Sequence, residues 1–333
     1  MTHDVPSRNP VDRIVVLRGS IHGDSATEYA KILQSRTDDV CVEYAHTPRE
    51  EERLLSDASV ATGTTITEAT LEHAHDLRLF ACATAGIDHL PLTELRSQGV
   101  AVTTGSGIHQ PNVAEHVLDV LLTLVRRTTT AWRQQQQHQW QAYRPWGTLA
   151  GSTATIVGLG PIGKSIVKRL TALDVRTIGV RYSPEKGGPA DDVIGFDEPA
   201  FHDALSRSDA VILACPLREE TDGLIGRAEI RTLPSSAIVV NVARGEILET
   251  DALTAALRRR ALRGAALDVT DPEPLSADHP LWDFENVIIT PHIAGFDPEY
   301  WDQRAEILQE NIRRIRETGR YSDLENSALG ASR

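Results

Sequence analysis

The chain has 333 residues, of which 41% are hydrophobic and 24% charged, and its formal net charge is −13. A chain of this length can bury a large core and is expected to form two domains. The acidic balance argues against a nucleic-acid partner, because phosphates require a basic surface. No apolar run approaches the roughly 20 residues of a membrane-spanning helix, and the first residues lack a signal-peptide pattern. We therefore expect a cytoplasmic protein whose three isolated cysteines (Cys41, Cys82 and Cys215) are reduced core thiols.

Short apolar runs alternate with helical patterns along the whole chain, which is typical of parallel sheets covered on both faces. In the first part, strands are predicted at 13–17, 40–44, 58–61, 77–83 and 100–103. Helices are predicted there at 26–34, 67–75 and 92–97. These elements predict one open, doubly wound α/β domain.

A long helix is predicted next, over 111–137. Pro111 suits a first helical turn, and Glu115 complements the positive end of the helix dipole. The middle of this segment, 117–125, is apolar nearly all round, so it is expected to be buried on more than one side. A helix that bridges domains or forms a subunit interface would explain this pattern.

The pattern of strands and helices then begins again and predicts a second doubly wound unit. Its strands are predicted at 153–157, 175–180, 210–214, 237–241, 264–267 and 287–289, and its helices at 161–173 and 250–260. The last helix carries one apolar stripe, formed by Trp301, Ala305, Leu308, Ile312 and Ile315. We expect this helix to return to the first domain, which would make that domain discontinuous.

A Gly-x-Gly-x-x-Gly turn, Gly158-Leu159-Gly160-Pro161-Ile162-Gly163, directly follows an apolar strand and opens a helix. Gly158 allows the tight turn, Gly160 lets the backbone approach a pyrophosphate, and Gly163 lets helix and strand pack closely. The start of the helix supplies N–H groups to phosphate oxygens. A Gly-rich turn alone is a weak signal, but its position between strand and helix predicts a dinucleotide site.

The end of the following strand bears on which dinucleotide is bound. An NAD site places an acidic residue there, to bind the ribose 2′-hydroxyl. This chain has Arg181, followed by Tyr182 and Ser183. A cation and a hydroxyl suit a 2′-phosphate, although a solvent-exposed arginine at a strand end is the simpler alternative. The pattern favours NADP(H), and NAD(H) stays possible.

Three charged residues follow successive strands near the end of this unit: Arg244, Glu273 and His292. The carboxyl ends of strands are where open α/β sheets bind ligands. Arg244 can bind a carboxylate with two hydrogen bonds, and His292 can exchange a proton with a carbonyl or hydroxyl oxygen. Glu273 would favour the protonated imidazole. Each residue alone has a structural explanation, but together behind a dinucleotide turn they predict a 2-oxo acid dehydrogenase.

With these motifs, the chain from about residue 77 to 295 resembles the D-isomer-specific 2-hydroxyacid dehydrogenases, and its motifs are most similar to those of glyoxylate/hydroxypyruvate reductases. The resemblance implies a Rossmann dinucleotide-binding domain at 108–295, inserted into a flavodoxin-like substrate domain formed by 1–107 and 296–333. It implies an active site in the cleft between them. It also implies a homodimer formed through the long helix.

The resemblance extends to individual residues. It implies that Arg244 orients the substrate, that His292 is the acid/base and that Glu273 is its carboxylate partner. Thr84, Ala85 and Gly86, within 83–88, match a loop whose N–H groups hold the substrate carboxylate. The residues expected at the cofactor are Val113, Gly158, Gly160, Pro161, Ile162, Gly163, Arg181, Tyr182, Ser183, Cys215, Pro216, Thr221, Val242, Ala243 and Asp268, of which Asp268 matches the residue that binds the nicotinamide carboxamide.

The expected activity is interconversion of a small 2-oxo acid, such as glyoxylate or hydroxypyruvate, with its D-2-hydroxy acid. The alternative is a dinucleotide-sensing interaction protein, similar to a corepressor, with little or no turnover, because fold does not fix function. A metal-dependent hydrolase is rejected: His73 and His75 would point to different faces of a helix. No metal, membrane or nucleic-acid partner is expected.

Overall fold

A computed structural model describes residues 11–21, 24–37, 39–87 and 89–330. The chain divides into two compact units, one formed by Met1–Ile108 with Asp297–Arg333 and the other by His109–Phe296. Each unit is a layered α/β fold around a largely parallel sheet, so the predicted fold class is confirmed. Among the helices within these ranges, none is both long and apolar enough to cross a membrane.

The strands are β1 (Arg13–Val16), β2 (Ser20–Ile21), β3 (Asp24–Ser25), β4 (Cys41–Tyr44), β5 (Val60–Gly63), β6 (Leu79–Cys82), β7 (Ala101–Thr103), β8 (Thr153–Val157), β9 (Arg176–Val180), β10 (Asp192–Ile194), β11 (Ala210–Leu213), β12 (Ile238–Asn241), β13 (Gly264–Leu267), β14 (Val287–Ile289) and β15 (Ser327–Leu329). The α-helices are α1 (Ala26–Arg36), α2 (Pro48–Leu55), α3 (Glu68–Leu71), α4 (Leu92–Ser97), α5 (Gln110–Arg126), α6 (Thr128–Gln136), α7 (Pro161–Thr171), α8 (Glu198–Ser206), α9 (Arg227–Thr232), α10 (Thr250–Arg258) and α11 (Tyr300–Thr318).

The first unit is organised around a sheet in the order β15-β7-β6-β5-β1-β4. Its strands run parallel except β15, which pairs antiparallel with β7. Helix α11, from the end of the chain, belongs to the same core as α1, and the rings of Tyr29 and Trp301 stack with their centroids 4.6 Å apart. Both ends of the chain therefore build this unit.

The second unit has a parallel sheet in the order β10-β9-β8-β11-β12-β13-β14. Its strands are almost wholly apolar, as expected for a sheet buried on both faces. Asn241 pairs with Leu267, and Leu267 with Ile289, so β12, β13 and β14 end side by side. The loops that follow these three strands consequently start at one edge of the sheet, which is the edge where the glycine turn follows β8.

Several sequence-based expectations are wrong in detail. The helix predicted over 111–137 is two helices, because Arg127 adopts the left-handed conformation (φ 55°) and ends α5. The apolar part is α5, whereas α6 buries none of its residues. The helix predicted at 67–75 is only α3, and the elements that were not predicted are α2, α8, α9, β2, β3, β10 and β15. Cys41 is exposed because it starts β4 at the sheet edge, while Cys82 and Cys215 are buried as expected.

Candidate active site

The glycine turn between β8 and α7 has little room for side chains. Gly158 has a φ of +104°, and a Cβ there would lie 2.6 Å from the carbonyl oxygen of Ala214. A Cβ on Gly163 would lie 1.8 Å from the carbonyl oxygen of Gly158. These two glycines therefore let the turn pack against the end of β11 and let α7 pack against its own strand.

The space around Gly160 is open, since a Cβ built there meets no atom within 4 Å. Gly160 is the residue before α7, and no side chain caps the helix. Pro161 and Ile162 form the first turn, so the amides at this helix end face no capping group. This geometry fits a pyrophosphate approaching the backbone, and these residues could hold a dinucleotide there.

The predicted adenosine side of the site follows β9 and β11. Arg181 directly follows β9 and is half-buried, and its Nη1 donates to the carbonyl of Gly187 at 2.6 Å. Its neighbour Tyr182 is exposed and Ser183 is half-buried. The amide of Arg181 also donates to the carbonyl of Ile194 at 3.0 Å, so its backbone and its side chain are both held at the strand end.

The loop after β11 is held by its own threonine. The hydroxyl of Thr221 donates to the carbonyl of Pro216 at 2.8 Å and accepts from the amide of Arg218 at 2.8 Å. Burial raises the pKa of Cys215 to about 11, so this thiol stays protonated. Cys215 therefore contributes a packing surface rather than a nucleophile.

His292 and Glu273 form a direct pair. The imidazole Nδ1 lies 2.7 Å from the Glu273 carboxylate Oε1, and the two side chains are 49% and 44% exposed, respectively. His292 has a left-handed backbone (φ 55°), a conformation that non-glycine residues adopt infrequently. The bond from Nδ1 to the carboxylate leaves Nε2 as the ring nitrogen available to another molecule.

Asp268 holds the loop that carries His292, a contact that was not predicted from the sequence. Its side chain is buried, and its carboxylate accepts hydrogen bonds from the Thr290 hydroxyl at 2.6 Å and from the amides of Ile293 and Ala294 at 2.9 Å each. Its backbone carbonyl accepts from the amide of His292 at 2.8 Å. Asp268 thus bonds His292 and the residues before and after it in the chain.

The start of α5 supports the same loop. His109 Nδ1 lies 3.1 Å from the carbonyl oxygen of Gly295, and the Asn112 amide donates to the carbonyl of Phe296 at 2.8 Å. His116 Nε2 lies 3.2 Å from the Thr290 hydroxyl oxygen. Val113, expected at the cofactor, is buried between these residues on α5. The loop bearing His292 is therefore fixed at both ends.

Arg244 follows β12 in a tight turn. The Asn241 side chain accepts from the amide of Ala243 at 3.0 Å and donates to the carbonyl of Arg244 at 2.8 Å. A Cβ on Gly245 would lie 2.2 Å from the backbone of Thr270, so only glycine lets this turn pack against the segment leading to Glu273. Arg244 is half-buried and follows β12, which lies next to β13, the strand before Glu273, and two strands from β14, the strand before His292.

The remaining predicted residues divide between the units. Val242 is half-buried and Ala243 buried in the Arg244 turn. Thr84, Ala85 and Gly86 belong to the first unit and follow β6; Asp88, in the same predicted loop, lies outside the described residues. Within the described chain, no group of three or more His, Cys, Asp or Glu side chains could hold a metal ion.

Comparison with known proteins identifies the family. Residues 118–294 match the model of the D-isomer specific 2-hydroxyacid dehydrogenase, NAD binding domain. A glyoxylate reductase of Thermofilum pendens is 34% identical over 250 residues, which are 73% of each chain. A D-3-phosphoglycerate dehydrogenase of Archaeoglobus fulgidus is 31% identical over 254 residues, or 76% of this chain but 48% of that protein.

Solved structures agree with this result. A D-isomer specific 2-hydroxyacid dehydrogenase from Xanthobacter autotrophicus, crystallised with NADPH and MES, superposes with a TM-score of 0.78 at 25% identity. The match covers 96% of this chain and 98% of that one. The similarity therefore includes both compact units. The chain belongs to the family of D-isomer specific 2-hydroxyacid dehydrogenases.

Proposed function

We propose that the protein reduces a small 2-oxo acid to its D-2-hydroxy acid with a nicotinamide dinucleotide, or catalyses the reverse oxidation. The observation that carries this proposal is the exposed His292–Glu273 pair, with Nδ1 and Oε1 2.7 Å apart. This pair lies at the edge of the sheet where the glycine turn also begins. A proton-exchanging group and a dinucleotide turn at one sheet edge are what hydride transfer to a carbonyl requires.

In the proposed reduction, the bound dinucleotide supplies the hydride to the carbonyl carbon of the substrate. His292 donates the proton from Nε2 to the carbonyl oxygen, while Glu273 accepts from Nδ1 and stabilises the imidazolium. Arg244 binds the substrate carboxylate through its guanidinium fork and orients the carbonyl. In the oxidation, His292 accepts the proton from the hydroxyl group.

Glyoxylate and hydroxypyruvate are the proposed substrates. The similarity to a glyoxylate reductase covers nearly three quarters of both chains, whereas the chain matches about half of the phosphoglycerate dehydrogenase. The predicted carboxylate loop, Thr84-Ala85-Gly86, carries no basic side chain for a phosphate group. A small substrate without a phosphate therefore fits these residues better.

NADP(H) is the proposed cofactor. Arg181 stands at the end of β9, where a 2′-phosphate would need a cation, and the exposed Tyr182 and the hydroxyl of Ser183 follow it. The structure from X. autotrophicus contains NADPH, which supports this reading. NAD(H) is the alternative, and a comparison of the two cofactors decides between them.

A homodimer is the proposed assembly. Trp132 on α6 is 67% exposed, and Trp140, just beyond α6, is fully exposed. Large apolar side chains grouped on one segment are typical of a protein interface. Light scattering is expected to give about twice the mass of the 36.5 kDa chain; a monomeric mass at micromolar concentration would contradict the proposal.

A panel of small 2-oxo acids, tested with NADPH and with NADH by absorbance, tests the proposed function. We expect turnover of glyoxylate or hydroxypyruvate with NADPH. His292→Ala should lower kcat by about 10²–10⁴-fold, the usual contribution of a general acid, and leave the Kd of NADPH nearly unchanged. Binding of NADPH without turnover of any 2-oxo acid would favour a dinucleotide-sensing protein instead.

A further inference from the structure

A charged residue outside the proposed catalytic groups lies deep in the first unit. Arg304 of α11 is 1% exposed. Among the described residues, its Nε and Nη1 have no hydrogen-bond partner, and its guanidinium forms no ion pair with a carboxylate there. Burying a charge without a carboxylate to balance it costs free energy, so an apolar side chain would stabilise this core more than the guanidinium does.

Among the described residues, the Arg304 side chain forms one hydrogen bond, to the end of β6. Its Nη2 donates to the carbonyl of Cys82 at 2.5 Å. One helical turn earlier, the Tyr300 hydroxyl donates to the carbonyl of Ala83. The amide of Gly105 donates to the carbonyl of Thr84 at 2.8 Å. Three successive carbonyls at the base of the 84–87 loop are thus each held by a donor.

The amides of the same loop are in the opposite situation. Within the described part of the chain, the backbone N–H groups of Thr84, Ala85, Gly86 and Ile87 donate to no acceptor. The Thr84 hydroxyl donates to the carbonyl of Gly86 at 2.7 Å, which keeps the loop compact. The loop thus has the carbonyls of Thr84 and Gly86 occupied and its four amides unoccupied, which favours an anion over a cation.

Gly105 brings Arg304 close to this loop. A Cβ at Gly105 would lie 2.5 Å from the carbonyl oxygen of Ala83 and 3.1 Å from Arg304 Nη1. The guanidinium and the start of the loop therefore both lie close to the position that a Cβ at Gly105 would occupy. Burial raises the pKa of Tyr300, so its phenol is protonated and can act as the donor to Ala83.

We propose that Arg304 is a positioning residue for the substrate carboxylate. It holds the 84–87 loop through the carbonyl of Cys82, together with Tyr300 at Ala83, and it adds a buried positive charge beside amides that have no acceptor. This inference rests on the proposed function, because it takes the loop to bind the carboxylate of a 2-oxo acid. It assigns to α11, from the end of the chain, a part in substrate affinity.

Three variants of the full-length protein test the proposal. Arg304→Lys keeps the charge but not the fork, and Arg304→Met removes the charge. Tyr300→Phe removes only the hydroxyl that bonds Ala83. It therefore still tests how the loop is held if an Arg304 variant does not fold. Asn311→Ala is the matched control: Asn311 is equally buried on α11, but it bonds Glu325 and not the loop.

Two measurements are made on each variant. Hydrogen exchange of the protein without ligands reports on the amides of Ala83 and Gly105, which donate to Gly63 and Thr84. Steady-state kinetics with glyoxylate and NADPH report KM and kcat. The exchange experiment needs no turnover. If the protein reduced no 2-oxo acid, the proposed function would be refuted, but the exchange rates would still test whether Arg304 and Tyr300 hold the 84–87 loop.

We expect faster exchange of Ala83 and Gly105 in Tyr300→Phe and Arg304→Lys, and a KM about tenfold higher with kcat within about twofold, as for one lost hydrogen bond to a charged group. Arg304→Met should raise KM by about a hundredfold. Asn311→Ala should change neither measurement. Unchanged exchange in Tyr300→Phe and Arg304→Lys, or faster exchange with an unchanged KM, would overturn the proposal.

Discussion

Asp268→Asn is the sharpest test of how the loop that carries His292 is held. The carboxylate accepts from Thr290 at 2.6 Å and from the amides of Ile293 and Ala294 at 2.9 Å. An asparagine of the same size keeps one acceptor oxygen and places an NH2 group where another donor already points. At least one buried amide then loses its acceptor.

The expected magnitude follows from these contacts. Loss of one hydrogen bond to a charged group, with a buried N–H left without a partner, costs about 2–3 kcal/mol. For a unit of this size that corresponds to a fall in Tm of roughly 4–12 °C. His292 lies in the chain between Thr290 and Ile293, both of which the carboxylate binds, so displacement of its ring by about 1 Å should lower kcat up to about a hundredfold.

Thermal unfolding, kinetics with glyoxylate and NADPH, and the Kd of NADPH are measured together. Asp191→Asn is the control, because the Asp191 carboxylate accepts from the amide and hydroxyl of Thr177 at the start of β9, away from the His292 loop. It should keep its kcat. If Asp268→Asn retained the native Tm and only weakened NADPH binding, Asp268 would serve the nicotinamide carboxamide and the loop-holding argument would be wrong.

Three further substitutions test other parts of the site. Arg181→Asp should shift preference from NADPH toward NADH in kcat/KM; an unmodified protein that already prefers NADH would refute the 2′-phosphate assignment. Arg244→Lys should lower kcat/KM for the 2-oxo acid by about ten- to a hundredfold, since an ammonium group lacks the guanidinium fork; native kinetics would remove Arg244 from the site. Gly245→Ala should destabilise the protein by about 1–3 kcal/mol in urea unfolding, because its Cβ would overlap Thr270. Gly147→Ala, where no atom lies within 4 Å, should be neutral, and equal stability of the two variants would contradict the packing argument.

Local sequence patterns predicted six of the seven strands of the second unit but missed β10, α8 and α9. The strands β8, β13 and β14 have the predicted limits, because short runs of mainly apolar and β-branched residues between polar residues and turns indicate strands. The glycine turn was recognisable for a similar reason: its spacing meets steric requirements that are set within a few residues, at Gly158 and Gly163. The joint placement of Arg244, Glu273 and His292 after strands was visible in the same way.

Other features were hidden or misread at the level of sequence. Helix α2 was missed despite the Thr47–Pro48 start and the Glu50 and Glu51 of its first turn, because the eight-residue segment has only two large apolar residues, Leu54 and Leu55, too few to show a repeating apolar stripe. The break at Arg127 was missed because an arginine gives no sign of a left-handed conformation. Cys41 was misjudged because burial at an edge strand depends on the order of strands in the sheet.

By itself, the sequence determined the fold class, the dinucleotide turn and the identity of the groups that can exchange a proton or bind a carboxylate. Only the tertiary structure decided which residues contact the segments that carry these groups. Asp268 bonds the His292 loop, Gly245 packs against Thr270, and Arg304 bonds the end of β6. The physical reason is range. Apolar periodicity and turn geometry act over a few neighbouring residues, whereas Arg304 and Cys82 are 222 positions apart and meet only when the core has packed.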